Sequence, residues 1–327
     1  MTASGGPHQA DLLVVNAAQL VTCAGFSSAP ARGPAQSELG IIQNGALAIQ
    51  GDRLAAVGTT EQVCSRFQSD EVLDAGGSVV LPGFVDPHTH LVFAGDRADE
   101  WEAQLRGESY LEIARRGGGI LRTVSSTRAA TFEELLAGAR RWAELMLRHG
   151  TTCFEAKSGY CLDLEGEMKL LRVARGLPAE TNQKVCSTLL AAHVVPPEYE
   201  NDREEYLKLC ERALERARGE DLVDFADVFC EAEAFTLEEA ERILQHAKAH
   251  GVGVKLHAEQ FSATGAATLG ARLGAVSVDH LDALRSSSLR EFAAIEPAPI
   301  AVLLPAAAFH LGVSQAAPAR ALIEAGV

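Results

Sequence analysis

The sequence contains no Cys-x-x-Cys pair, and its seven cysteines, Cys23, Cys64, Cys153, Cys161, Cys186, Cys210 and Cys230, are odd in number and scattered. That argues against a cysteine zinc knuckle or a disulfide framework, so reduced thiols in a cytoplasm are expected. No stretch approaches the roughly 20 apolar residues of a membrane span. The opening Met1-Thr2-Ala3-Ser4-Gly5-Gly6 has neither a basic start nor a long apolar run, and secretion is not expected. Positive charge is scarce: 29 Lys and Arg stand against 44 Asp and Glu, a formal net charge of −15. Such a surface repels nucleic acid and anionic membranes, so neither is expected as a partner, and the excess charge serves solubility.

The composition is that of a globular enzyme. With 327 residues, 47% hydrophobic and 22% charged, the chain can form one large barrel or two smaller domains around a full core. Residues 11–75 read as short strands with turns. Leu12-Leu13-Val14-Val15 and Gly45-Ala46-Leu47-Ala48-Ile49-Gln50 are apolar or alternating runs, and Gly51-Asp52 before Leu54-Ala55-Ala56-Val57-Gly58 reads as a hairpin turn. The Gly/Ser/Pro/Ala-rich residues 24–36 read as a surface loop. This predicts a small β module.

After Leu81 the pattern changes to apolar β-rich runs alternating with helical periodicity, the mark of repeated βα units and a parallel sheet. Seven strands are predicted, at residues 83–88, 151–156, 187–192, 227–231, 253–257, 275–280 and 300–304. Thr131 with Glu134 and Thr236 with Glu239 predict capping boxes, and Gly150 and Gly251 sit where helices should stop. Phe132, Leu135, Leu136, Ala139 and Trp142 form an apolar stripe that predicts a core face.

Seven such strands suggest a (β/α)8 barrel one strand short, a fold whose reactive groups gather at strand C-termini. The polar residues fall there: His88 and His90, Lys157-Ser158-Gly159-Tyr160, His193, Glu231, His257 with Glu259 and Gln260, and Asp279-His280. Five of the ten histidines are in this set; His8, His149, His246, His250 and His310 read as surface residues. His88 and His90, at i and i+2 on an extended segment, point the same way and can reach one ion. In an eight-stranded barrel the first and fifth strands face each other, so His257 can join them. Imidazole with carboxylate suits zinc or ferrous iron, and an open coordination position leaves room for a water whose pKa the ion lowers. His280 is then near enough to take a proton.

Leu81-Pro82-Gly83-Phe84-Val85-Asp86-Pro87-His88-Thr89-His90 resembles the first-strand motif of the amidohydrolase superfamily, in which a small β-sandwich precedes a metal-bearing barrel. More narrowly, Phe93-Ala94-Gly95-Asp96-Arg97, Gly117-Gly118-Gly119-Ile120, Lys157-Ser158-Gly159-Tyr160, Ala192-His193-Val194-Val195-Pro196, Asp227-Val228-Phe229-Cys230-Glu231, Lys255-Leu256-His257-Ala258-Glu259-Gln260 and Asp279-His280-Leu281 resemble, in order, the imidazolonepropionases of histidine degradation. The resemblance implies hydrolysis of the ring amide of 4-imidazolone-5-propanoate to N-formimidoyl-L-glutamate with one zinc or iron ion. It implies His88, His90 and His257 as ligands, His280 as proton carrier, and Glu259 as a second catalytic group, with Glu259 or Gln260 reaching the ring. Arg97 is expected to clamp the propanoate carboxylate, a task for a forked donor. Tyr160, His193 and Tyr110 are expected to line the pocket. Gly117-Gly118-Gly119 has no following P-loop lysine and reads as a loop near the site. Lys157 does not read as a carbamylated metal bridge, because the family uses one ion.

The resemblance also carries a departure. Members of the family continue past the equivalent of Ala325-Gly326-Val327 into an eighth strand with a metal-binding aspartate, and then into strands that complete the sandwich. The expectation is therefore an incomplete β-sandwich module over residues 1–80 and a barrel lacking its eighth strand over residues 81–327. Loss of a group that activates water predicts turnover at least about 10²-fold slower than in a chain carrying that strand. The alternatives are another cyclic amidohydrolase or deaminase on the same barrel, an inactive metal-binding or dimerisation remnant, and a phosphotriesterase-like or lactonase activity. The expected partner is the small-molecule substrate, with a homodimer left open.

Overall fold

The computed structural model describes residues 6–26, 29–108, 110–313 and 315–327, and the chain divides into two compact units, Met1–Gly83 and Phe84–Val327. In the first unit the strand Leu12–Val21 pairs antiparallel with Ile41–Gln50 and parallel with Val72–Asp74 and Val79–Val80. Arg53–Thr59 pairs with Ile41–Gln50, and the Gln50↔Arg53 register places Gly51 and Asp52 in the hairpin turn. A two-stranded sheet of His8–Gln9 and Phe67–Gln68 accompanies it. Alternation buries one face, with Leu13, Val15, Ala46, Ala48, Val63 and Phe67 forming the module's core.

The second unit is built on seven parallel strands: β1 (Phe84–Asp86), β2 (Thr151–Lys157), β3 (Lys184–Ala192), β4 (Phe225–Cys230), β5 (Gly253–Ala258), β6 (Ser277–His280) and β7 (Ile300–Val302). They pair in chain order, so the sheet curls as a barrel wall with β1 and β7 as its two edges among the described residues. Every predicted strand is present, with ends moved by a few residues. Parallel strands are buried on both faces, and the interior of this sheet is close to continuous apolar sequence with charged residues at chosen positions.

The helices are α1 (Ala98–Leu105), α2 (Tyr110–Arg115), α3 (Ile120–Ala129), α4 (Phe132–Arg148), α5 (Leu164–Thr181), α6 (Arg203–Gly219), α7 (Leu237–Ala249), α8 (Ala266–Arg272), α9 (Ser286–Ala293), α10 (Pro305–His310) and α11 (Ala319–Glu324). Both expected capping boxes open their helices: Thr131 at α4 and Thr236 at α7 accept from the N3 amide, while Glu134 and Glu239 reach back to the cap amide. Gly150 and Gly251 follow α4 and α7 at φ +91° and +71°, a region an L side chain rarely adopts. The α4 stripe needs one correction. Leu135 and Ala139 are fully buried, but Trp142 is 38% exposed and Ala143 takes the buried position, because the face that meets the sheet drifts with the 3.6-residue turn. One apolar core, including Phe154, Leu171, Tyr206, Leu244 and Phe292, fills the space between sheet and helices. Among the described residues no helix is long and apolar enough to cross a membrane.

Candidate active site

Side chains alternate along a strand, so residues of like parity on neighbouring strands face one interior. Glu155 and Lys157 on β2, Asp227 on β4, Lys255 and His257 on β5 and Asp279 on β6 meet there, all buried. Lys157 Nζ lies 2.5 Å from Asp227 Oδ2, 2.9 Å from Glu155 Oε2 and 3.4 Å from Asp279 Oδ2, while Lys255 Nζ donates to Glu155 Oε2 at 2.7 Å. Burial alone would lower the Lys157 pKa, but these three carboxylates outweigh it and raise it. The amine therefore stays an ammonium ion, which leaves it no lone pair for a carbamate.

This charged floor orients the imidazoles above it. His88 Nδ1 donates to Asp279 Oδ2 at 2.6 Å, and Asp279 Oδ1 accepts from Ser277 Oγ at 2.7 Å. Asp227 Oδ2 lies 2.9 Å from His257 Nδ1, and its other oxygen accepts from the His257 backbone amide at 3.1 Å. Burial opposes the Asp227 charge, but His257 and Lys157 hold its carboxyl well below the usual range; burial pushes Asp279 upward. His88 Nδ1 is thus committed to Asp279 and His257 Nδ1 faces the Asp227 carboxylate, which leaves Nε2 of each ring for the cavity.

His88, His90 and His257 each offer a ring nitrogen within 4.8 Å of the others. The Nε2 atoms of His90 and His257 are 3.3 Å apart. Two ligands at about 2.05 Å from one tetrahedral ion stand roughly 3.3 Å from each other. Burial first, then the neighbouring side chains, push His88 and His90 well below the usual imidazole range, so each neutral ring keeps one unprotonated nitrogen as a metal requires. The donor set fits a borderline cation such as zinc or iron.

The remaining groups line one cavity of about 300 Å³ with the three histidines: Arg97, Tyr160, His193, Gln260 and His280. Arg97 caps α1 without a side-chain hydrogen bond and forms no ion pair among the described residues. The loop carrying Tyr160 is organised by Glu167 of α5, which accepts from the amides of Gly159, Cys161 and Leu162 at 2.8, 2.9 and 2.7 Å. Gly159 at φ +102° lets the chain pass β3, where a Cβ would lie 2.7 Å from the Leu190 carbonyl. His193 Nδ1 donates to the Gly159 carbonyl at 2.9 Å, and burial followed by His257 lowers its pKa to about 3. His280 sits at φ +79° at the end of β6, its ring 5.1 Å from that of His88 and 5.2 Å from that of His257. A bulky residue held in the left-handed region stores strain, a feature that collects at functional sites.

One expectation changes. Glu259 does not line the cavity: at φ +54° it turns away, and Oε1 accepts from Gly265 N at 3.0 Å, so of the two adjacent residues only Gln260 reaches the site. His310 is exposed, as expected of a surface residue, and it also stacks on Trp101 with centroids 4.4 Å apart and planes at 10°, both lining the cavity. The Gly117-Gly118-Gly119 loop has its Gly119 amide bonded to the Glu100 carboxylate at 3.1 Å. The side chain of Tyr110, at the start of α2, lies outside the described residues. Sequence reading named Asp227 only within a motif, without a role, and passed over Trp101 and Glu167. Asp227, alone in the apolar run 225–230, carried a signal, since an unpaired charge inside a strand demands a partner.

Residues 79–313 match the amidohydrolase family. The imidazolonepropionase of Geobacillus thermodenitrificans (strain NG80-2) is 45% identical over 321 residues, covering 97% of this chain and 75% of that protein. That of Symbiobacterium thermophilum is 46% identical over 322 residues, covering 97% and 74%. Among solved structures, a zinc-bound adenosine deaminase from Xanthomonas campestris superposes with TM-score 0.62 at 20% identity, covering 98% of this chain and 68% of that one. A 5-methylcytosine deaminase from Klebsiella pneumoniae liganded with 5-fluorocytosine gives TM-score 0.63 at 15% identity, covering 95% and 70%. At such identities the deaminases share the barrel fold alone, whereas the bacterial relatives are 45–46% identical over nearly the whole chain: the chain belongs to the imidazolonepropionases of the amidohydrolase family.

Proposed function

We propose that the cavity hydrolyses the ring amide C–N bond of 4-imidazolone-5-propanoate to N-formimidoyl-L-glutamate. The observation that carries this reading is the joining, in one cavity, of three convergent imidazoles with the forked guanidinium of Arg97. His88, His90 and His257 would hold one zinc or iron ion, which when bound polarises the ring carbonyl and makes water acidic enough to react near neutrality. Arg97 binds the propanoate carboxylate and so fixes which ring face meets His280. Tyr160, His193 and Gln260 contact the ring; His193 presents Nε2 as an acceptor because Nδ1 is committed to Gly159. His280, which burial and His257 keep unprotonated, takes the proton of the attacking water and returns it to the departing ring nitrogen as the carbonyl carbon–nitrogen bond breaks. The reduced thiols fit a cytoplasmic setting, residues 1–80 fit a β-sandwich module and residues 81–327 the barrel; a homodimer is compatible with this reading.

The test is product analysis with the metal-loaded protein. N-formimidoyl-L-glutamate from imidazolone propanoate, without ammonia release, is the expected result. Ammonia from aminopurines or aminopyrimidines, with imidazolone propanoate untouched, would replace this reading by a deaminase.

A further inference from the structure

Helices α6 and α7 pack side by side, and their register is set by Arg242, whose Nε donates to Glu211 Oε1 at 2.8 Å and whose Nη1 donates to Glu204 at 2.8 Å. One helical turn further on both helices, i+4 from each partner, stand Glu215 and His246. The same alignment that pairs Arg242 with Glu211 therefore places Glu215 Oε1 3.2 Å from His246 Nε2. His250 follows one more turn along and caps α7, its ring centroid 4.4 Å from that of His246. One donor atom from each of Glu215, His246 and His250 lies within 4.8 Å of the others.

We propose that these three side chains form a second metal site, for a divalent transition ion of the zinc, nickel or copper class. Two histidines at i and i+4 on one helix, completed by a carboxylate, present a His2Glu donor set. His250 Nδ1 donates to the His246 backbone carbonyl at 2.9 Å, which fixes the tautomer and leaves Nε2 with its lone pair free. The His246 Nε2 atom is buried yet makes no hydrogen bond among the described residues, despite the carboxylate beside it. The nearby cations are turned elsewhere: Lys248 Nζ donates to the Leu273 carbonyl at 2.5 Å, Arg218 faces Asp221, and Arg242 is held by its two glutamates.

Helices of a βα barrel run antiparallel to its strands, so the C-terminal ends of α6 and α7 lie at the opposite end of the sheet from the strand C-termini that carry the active site. An ion here ties two helices together and touches no substrate. The site would thus act on stability alone.

Equilibrium dialysis of the full chain against Zn2+ tests this, beside His246→Ala/His250→Ala and, as a milder change, Glu215→Gln. The wild-type protein is expected to bind one equivalent more than the double variant. Glu215→Gln should bind that equivalent at least about tenfold more weakly, the general size of weakening a metal's ligand shell. Zn2+ should raise the melting temperature of the wild type above that of the double variant, with hydrolysis of imidazolone propanoate equal in both. Equal stoichiometry in wild type and double variant, or an equal zinc-induced shift, would overturn the proposal.

Discussion

Two carboxylates that touch no substrate set the direction of the two central imidazoles. Asp279 bonds His88 through Nδ1, and Asp227 bonds the His257 backbone amide and faces its Nδ1 at 2.9 Å, so the ring nitrogens that remain converge. Asp279→Asn keeps the shape but can present its amide nitrogen to His88 Nδ1, so metal affinity should fall about 10–100-fold by equilibrium dialysis; unchanged affinity would mean that packing alone orients the ring. Arg97 offers a different readout. Replacement by methionine keeps the length of the stem and removes the charge, so KM for imidazolone propanoate should rise on the order of 10–100-fold, the worth of a charge-assisted hydrogen bond. If kcat falls instead and KM stays, the guanidinium acts on the reacting centre rather than on the propanoate. Most of these residues were legible because chemistry-bearing side chains crowd the ends of the predicted strands. Asp227 was not singled out, because its importance lies in pairs made across three strands, with Lys157 and with His257, which spacing along one strand does not disclose.

At the scale of the element, the loop between β2 and α5 shows how a helix supports a site it does not enter. Glu167, fully buried in the first turn of α5, gathers three loop amides and thereby sets Tyr160 and, through the Gly159 carbonyl, His193. Glu167→Ala leaves those amides unpaired in the interior, and the protein should lose about 2–4 kcal/mol by denaturant unfolding. A loss below about 1 kcal/mol would show that water replaces the carboxylate. The strands themselves were readable from sequence because parallel strands are nearly unbroken apolar runs, and both capping boxes because the cap and its N3 partner are local. Glu167 was opaque for the opposite reason. In sequence it is one more acid in the first turn of a helix, where the macrodipole favours acids anyway. The stack of Trp101 on His310 was equally hidden, since it joins helices about 200 residues apart.

For the whole molecule the controlling fact is that the curled sheet has two edges. Among the described residues β1 pairs only with β2 and β7 only with β6, so each edge carries unpaired backbone donors and acceptors. Natural edges are usually blunted by charge, proline or a bulge; β1 has a register shift between Phe84 and Val85 and ends in Asp86 before Pro87, yet it leaves Phe84 55% and Val85 64% exposed. Ile300 on β7 is 38% exposed as well. Against this stands the formal net charge of −15, which repels other copies at low salt but is screened beyond about 8 Å at physiological ionic strength. Strand pairing acts at about 5 Å, inside that distance, so attraction at the edges should win as salt rises. The 327-residue chain should therefore self-associate in a concentration-dependent way in the micromolar range, more strongly at about 0.5 M salt than at about 0.02 M. Sedimentation velocity measures this directly. Val85→Lys puts a charge on the exposed edge and should move the distribution toward monomer without altering the far-ultraviolet circular dichroism. A single monomeric species at every salt and at concentrations up to about 100 µM would show that the edges are protected in solution by some means other than pairing with another copy.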